Sequence, residues 1–173
     1  MFGLAQWVVI AVGVLRIAEL ILSHSNTRNL LARGGQEFGR PHYPLFVLLH
    51  GGWLAAMFIA IPLDATSHSF LLFGFVALQF CRLWVIASLG PYWTTRIISA
   101  PDFPRIVRGP YRWVKHPNYI VVIAEIAILP LAFGAWEIAV LFSALNAALL
   151  TWRIKVEESA LAQRRSTISE IVC

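Results

Sequence analysis

The chain has 173 residues, 58% of them hydrophobic and only 13% charged, with a mean hydropathy of +0.70 and a formal net charge of +5. An ordinary globular domain is roughly 45–50% apolar, so these values argue against a water-soluble domain and make a bilayer the expected solvent. Two cysteines, Cys81 and Cys173, have no ligand spacing, and HExxH, Walker and GxSxG sequences are absent, so neither a metal site nor those hydrolytic chemistries is expected.

Apolar runs at 2–22, 44–63 and 68–90 are each close to the ~20 residues that carry a helix across a hydrocarbon core. The first has no basic stretch before it and no small-x-small site after it, and it contains Arg16 and Glu19. It is therefore expected as a mature helix and not a cleaved leader. The glycines of ARGGQEFGR (32–40) do not lie between a strand and a helix, which discounts a dinucleotide loop. Residues 118–152 are interrupted by Pro130 and Gly134, too long for one span and short for two. They predict two tight helices joined near Phe133 to Trp136. The predicted fold is all-α, a polytopic membrane protein with about five transmembrane helices, the last two a tight hairpin. A single domain is expected over 1–173: a three-helix part at 1–95, a loop, hairpin and EExxL segment at 96–161, and a tail at 162–173.

Charge placement predicts the orientation. Arg28, Arg33 and Arg40 follow the first helix, Arg96, Arg105, Arg108, Arg112 and Lys115 the third, and Arg153, Lys155, Arg164 and Arg165 the fifth. Twelve of the fourteen basic residues thus occupy alternate connections, which the positive-inside rule assigns to the cytoplasm. Trp7 and Trp136 would then mark the outer interface and Trp84, Trp113 and Trp152 the inner one. Topology accounts for the positive charge, and no nucleic-acid partner is expected.

Several polar residues interrupt the apolar runs. Arg16, Glu19 and Arg82 fall at similar depth, so either an ion pair between helices or snorkelling arginines would suit them, and a structural role is expected. Glu125 shares a helical face with Asn118 and, as an intramembrane carboxylate, is a functional candidate unless a structural hydrogen bond holds it. Asn146, Arg153 and Glu157 form a stripe along the fifth helix. From spacing alone, that stripe is either a solvated helix end with an Arg–Glu pair or one wall of a site. The segment RGPYRWVKHPNYI (108–120) lies on the same side and brings cations, an imidazole and aromatic rings. The two together could enclose a polar ligand at the bilayer surface while an apolar partner enters from the lipid.

GPYRWVKHPNY, a predicted helical hairpin and RIKVEESAL, in that order, resemble the isoprenylcysteine carboxyl methyltransferase family, whose pattern is GxYxxxRHPxY…EExxL. The resemblance covers roughly residues 96 to 161. RIAELILSHSNTRNLLARGGQEFGRPHYP also resembles bacterial members, including a branch associated with methylating long-chain alkylpyrones made by type III polyketide synthases. The resemblance implies methyl transfer from S-adenosylmethionine to the carboxylate or hydroxyl of a lipophilic acceptor, isoprenylcysteine-like or alkylpyrone-like, that enters from the bilayer. It implies that Arg105, Ile106, Tyr111, His116, Pro117, Asn118, Tyr119 and Glu157 hold the cofactor and that Arg153 faces the acceptor. Arg96 and Phe103 align more loosely with further cofactor contacts. A bacterial inner-membrane location with a cytoplasmic active site follows, and no metal is required.

The chain departs from the pattern in three places. Lys115 replaces the usual arginine, exchanging a planar fork for a point charge and leaving the implied cofactor pairing less defined. Ile120 and Val121 stand where a glycine is common, and RRSTISEIVC lacks the aromatic tail of many relatives. A small amphiphile is then at least as suitable as a prenylated protein. A carboxylate or acidic hydroxypyrone needs little or no general base, whereas a plain phenol would call on His116 or Glu125. Membrane sterol and enone reductases that use NADPH, phospholipid N-methyltransferases and a non-catalytic amphiphile-binding protein are the alternative readings.

Overall fold

The computed structural model describes residues 2–100, 103–104 and 106–172, apart from the side chains of residues 42 and 161–172. Five helices make up the architecture: α1 (Leu4–Ala32), α2 (Tyr43–Ala60), α3 (Ser69–Leu89), α4 (Pro117–Ala132) and α5 (Trp136–Val172). The only sheet among the described residues is a short antiparallel ribbon in which β1 (Gln36–Phe38) pairs with β2 (Ile97–Ser99), with Glu37 opposite Ile98. Single 3-10 turns occupy Arg40–His42, Gly90–Tyr92 and Gly109–Arg112. The all-α, five-helix membrane architecture expected from the sequence is the one observed.

Four helices, α1, α2, α3 and α5, are long and apolar enough to cross a membrane. The exception, α4, has 16 residues, about 24 Å at the usual rise and short of a hydrocarbon core of about 30 Å. It starts on Pro117, whose fixed φ and missing N–H suit a first helical position. It ends just past Pro130, where Gly134 at φ 72° reverses the chain and Ala135 N–H donates to the Pro130 carbonyl. The predicted tight hairpin is thus present.

The helices bury three successive layers. Val9, Val12, Trp53, Met57, Phe75 and Ile126 belong to an apolar core nearest the N-terminal end of α1. Deeper along α1 lies an ionic layer. Arg82 of α3 grips Glu19 of α1 through Nε and Nη2, both at 2.7 Å, and donates from Nη1 to Glu125 of α4 at 3.0 Å. Arg16 pairs with Glu19 at 3.0 Å and approaches Glu125 at 3.4 Å, and Gln79 donates to Glu125 at 2.8 Å. Two cations and two carboxylates cancel, so the network resolves the sequence alternatives in favour of buried pairing over snorkelling.

The third layer is a cap beyond the ends of the apolar helices. α1 runs ten residues past its expected end at 22, and Ser23, Asn26, Thr27 and Leu30 stay buried at helical spacing. Asn26 donates to the Trp93 carbonyl at 2.8 Å, and Ser23 Oγ lies 2.7 Å from Thr95 Oγ1. Leu30, Ala100 and Phe103 form a small second core. The ribbon is tied by Arg96 to Glu37 at 2.9 Å. This cap carries the backbone of residues 93–99 over the ends of α4 and α5.

Candidate functional site

Between the cap and the helix ends lies a cleft of about 700 Å³, a size suited to a small-molecule ligand. Three segments wall it: residues 92–99 of the cap, loop residues 103–104 and 106–116, and the facing ends of α4 and α5. The loop is seated on α3 by backbone chemistry. Arg108 Nε donates to the Ser88 carbonyl at 2.6 Å. Gly109 takes φ +55° so closely against Ser88 that an added Cβ would collide with its hydroxyl, and Trp84 Nε1 lies 3.3 Å from the same point. Glycine is needed here both for the left-handed φ and for the approach.

Where α4 meets α5, four side chains form a chain of contacts. The Tyr119 hydroxyl donates to Glu157 Oε2 at 2.6 Å, the short length of a charge-assisted bond, and accepts from Arg153 Nε at 2.9 Å. His116 stacks on the Tyr119 ring, 5.1 Å between centroids and 11° between planes, with Nδ1 3.5 Å from Glu157 Oε2. Arg153 also donates from Nη2 to the Thr95 carbonyl at 2.9 Å, and its guanidinium lies 5.2 Å from the Phe46 ring centre. The simple Arg–Glu pair that spacing allowed does not form, because Tyr119 stands between the partners. Arg153 is only 8% exposed, yet among the described residues its polar contacts are neutral and no carboxylate lies within ion-pair distance.

Two further features mark the cleft as a site for a polar ligand. Asn118 Oδ1 and Ser99 Oγ are buried in its wall without hydrogen-bond partners, an arrangement that costs free energy unless a ligand supplies the missing group. The Tyr111 hydroxyl, half-buried in the loop, has its pKa raised first by burial and then by the negative charge of Glu157, so it remains a protonated donor.

Of the residues singled out from the sequence, Ile106, Tyr111, His116, Asn118, Tyr119, Arg153 and Glu157 line this cleft, as do Arg96 and Phe103. Arg105 lies outside the described residues. Pro117 is buried as the first residue of α4 and is absent from the wall. The structure does not bring Glu125 to the cleft. It lies seven residues beyond Asn118, about 10 Å deeper along α4, and is committed to Arg82, Arg16 and Gln79. Asn146 is buried on the α5 stripe, with Oδ1 unpartnered, but is likewise absent from the cleft wall. Thr95, Ser99 and Phe46 went unnoticed in the sequence. Their places depend on contacts between segments more than fifty residues apart, which no local pattern signals.

A model of the isoprenylcysteine carboxyl methyltransferase (ICMT) family matches residues 70–163, which include α3, the loop, the hairpin and the EExxL segment. Protein YpbQ of Bacillus subtilis, itself described as uncharacterized, is 36% identical over 162 residues, covering 91% of this chain and 96% of that protein. An uncharacterized protein of Haemophilus influenzae is 28% identical over 153 residues, covering 86% of this chain and 89% of its own length. No solved structure matches.

Proposed function

This chain belongs to the isoprenylcysteine carboxyl methyltransferase family and is an integral membrane methyltransferase, and on that premise we propose that it moves a methyl group from S-adenosylmethionine to an anionic oxygen of a lipophilic acceptor. The acceptor oxygen is a carboxylate or an acidic hydroxyl such as that of an alkylpyrone. The cleft faces the cytoplasm, where the positive-inside rule assigns the basic connections.

Arg153 is the observation that carries this reading. A buried guanidinium whose nearest carboxylate, Glu157, is held off by the Tyr119 hydroxyl is incompletely compensated, and a ligand that brings an anion to it would gain from that on binding. Thr95 and Tyr119 hold two of its nitrogens and so fix the plane of the fork that would receive an acceptor oxygen. An oxygen ionised beside Arg153 is already a nucleophile, so the reaction needs no general base from the chain.

The remaining wall fits the methyl donor. Asn118 Oδ1 is a free acceptor for an amino or hydroxyl donor, and Ser99 Oγ can donate or accept. Glu157, through the oxygen not bound to Tyr119, accepts from a ribose or ammonium group. The stacked His116 and Tyr119 rings offer an aromatic face to a cationic sulfur. When bound, the donor supplies an electrophilic methyl on its sulfonium, and transfer is an in-line displacement. The protein's share is to align the two reactants and exclude water, the latter helped by buried Trp93 and Phe103 on the cap side.

Calorimetric titration of S-adenosylhomocysteine into the detergent-purified protein tests the donor half. Saturable binding that is lost in Glu157→Ala is expected. NADPH binding with no response to S-adenosylhomocysteine would overturn the assignment in favour of a reductase.

A further inference from the structure

Loop 106–116 does more than wall the cleft, and its outward side follows from the surface of α3. Phe73, Val76, Phe80, Leu83 and Trp84 are all exposed, from 49% to 75%. Their helical spacing puts them on one stripe, which is the lipid-facing side of a membrane helix. Trp84 ends the stripe about one and a half turns before α3 terminates at Leu89. Trp113 from the loop reaches back onto it, edge to face, with ring centres 6.0 Å apart. The loop is therefore laid along the outside of the helix at the boundary between hydrocarbon and water, where indoles concentrate.

The exposed groups of the loop suit that position. Val107 is 58% exposed, Trp113 72% and Val114 39%, so its apolar side chains continue the lipid-facing stripe at the rim of the cleft, which Trp113 and Val114 also line. Arg112 and Lys115 are exposed on the same segment, and neither meets a carboxylate among the described residues. Residues 106–116 contain no Asp or Glu. Uncompensated cations interleaved with exposed apolar groups at this depth complement a phosphate-bearing headgroup above its own acyl chain.

We propose that residues 107–115, seated on the end of the α3 stripe, form a binding surface for anionic lipid headgroups of the surrounding leaflet. Arg112 and Lys115 engage the headgroup phosphate, Val107, Trp113 and Val114 enter the acyl boundary, and Arg108 holds the loop to the Ser88 carbonyl. Arg112, Trp113, Val114 and Lys115 also border the cleft, so the surface adjoins the proposed site, but assigning it uses no cofactor contact.

The test uses the full chain in phosphatidylcholine vesicles doped with equal fractions of brominated phosphatidylglycerol or brominated phosphatidylcholine, read by quenching of tryptophan fluorescence. The anionic quencher should be the stronger, with local enrichment of about fivefold for each cation engaged. High salt should reduce the excess, and Trp113→Phe should lower it to the share reported by neighbouring Trp84. Arg112→Gln with Lys115→Gln should abolish it while leaving quenching by the neutral lipid unchanged. Equal quenching by both lipids in the wild type, or an excess insensitive to salt and to the double substitution, overturns the proposal. No step of the test depends on catalysis, so a failure to bind S-adenosylhomocysteine would leave it standing.

Discussion

Arg82 and Arg153 are buried to nearly the same extent, 7% and 8% exposed, yet their surroundings are opposite in kind. Arg82 faces two carboxylates and belongs to a network whose charges cancel within the helix bundle. Arg153, at the mouth of the same bundle, has a hydroxyl, a carbonyl and two aromatic rings. The first arrangement is complete without a ligand and ties α1, α3 and α4 together. In the second the nearest carboxylate, Glu157, is held off by the Tyr119 hydroxyl, and the proposed acceptor oxygen would supply a direct partner. Charge compensation thus distinguishes these two arginines, which burial alone does not.

Breaking each side of that comparison should give different outcomes. Arg82→Ala would leave Glu19 and Glu125 sharing Arg16 alone, one buried negative charge in excess, and loss of one partner of a buried pair costs about 3–5 kcal/mol. Little folded protein should survive, as judged by monodispersity in detergent and by thermal unfolding. Arg153→Gln removes a charge that has no direct ion pair, so the unfolding temperature should fall far less than in Arg82→Ala. Methyl transfer should nevertheless fall by about 100-fold, equivalent to about 2.7 kcal/mol of transition-state stabilisation. If Arg153→Gln proves as destabilising as Arg82→Ala, the comparison fails.

Smaller changes sharpen the same picture. Gly109→Ala forces a side chain into a left-handed backbone and against Ser88, a strain of about 1–3 kcal/mol. The loop should lift from α3, with weaker S-adenosylhomocysteine binding and more proteolysis between 103 and 116. Tyr119→Phe keeps the stack on His116 but removes the hydroxyl that links Arg153 to Glu157. Loss of about tenfold in the rate is expected, equivalent to about 1.4 kcal/mol, measured by initial rates with the acceptor at saturation.

What was legible in the sequence followed from local physics. Long apolar runs marked the spans, and Pro130 with Gly134 marked the hairpin, because a helix cannot pass that pair without a break. The polar end of α1 was not legible. Ser23, Asn26 and Thr27 look like the residues of a frayed terminus, and what keeps them helical includes partners near residue 95 that are distant in sequence. For the same reason a three-residue ribbon between segments some sixty residues apart left no pattern. Glu125 could be read from the sequence either as a functional carboxylate or as a structural one, because its depth was readable but its partners were not: Arg16, Gln79 and Arg82 come from two other helices. At the cleft, the spacing of Arg153 and Glu157 suggested a direct pair, and only the structure inserts Tyr119 between them.

The most direct measurement is transfer of labelled methyl from S-adenosylmethionine to paired acceptors that share one alkyl chain, one with an ionisable oxygen and one with that oxygen replaced by a neutral amide. Wild type and Arg153→Gln would be compared side by side. Transfer to the ionisable acceptor is expected from the wild type, about 100-fold less from the variant, and none to the amide from either. Undiminished transfer by Arg153→Gln, or equal transfer to both acceptors, would contradict the proposed pairing of Arg153 with an anionic oxygen.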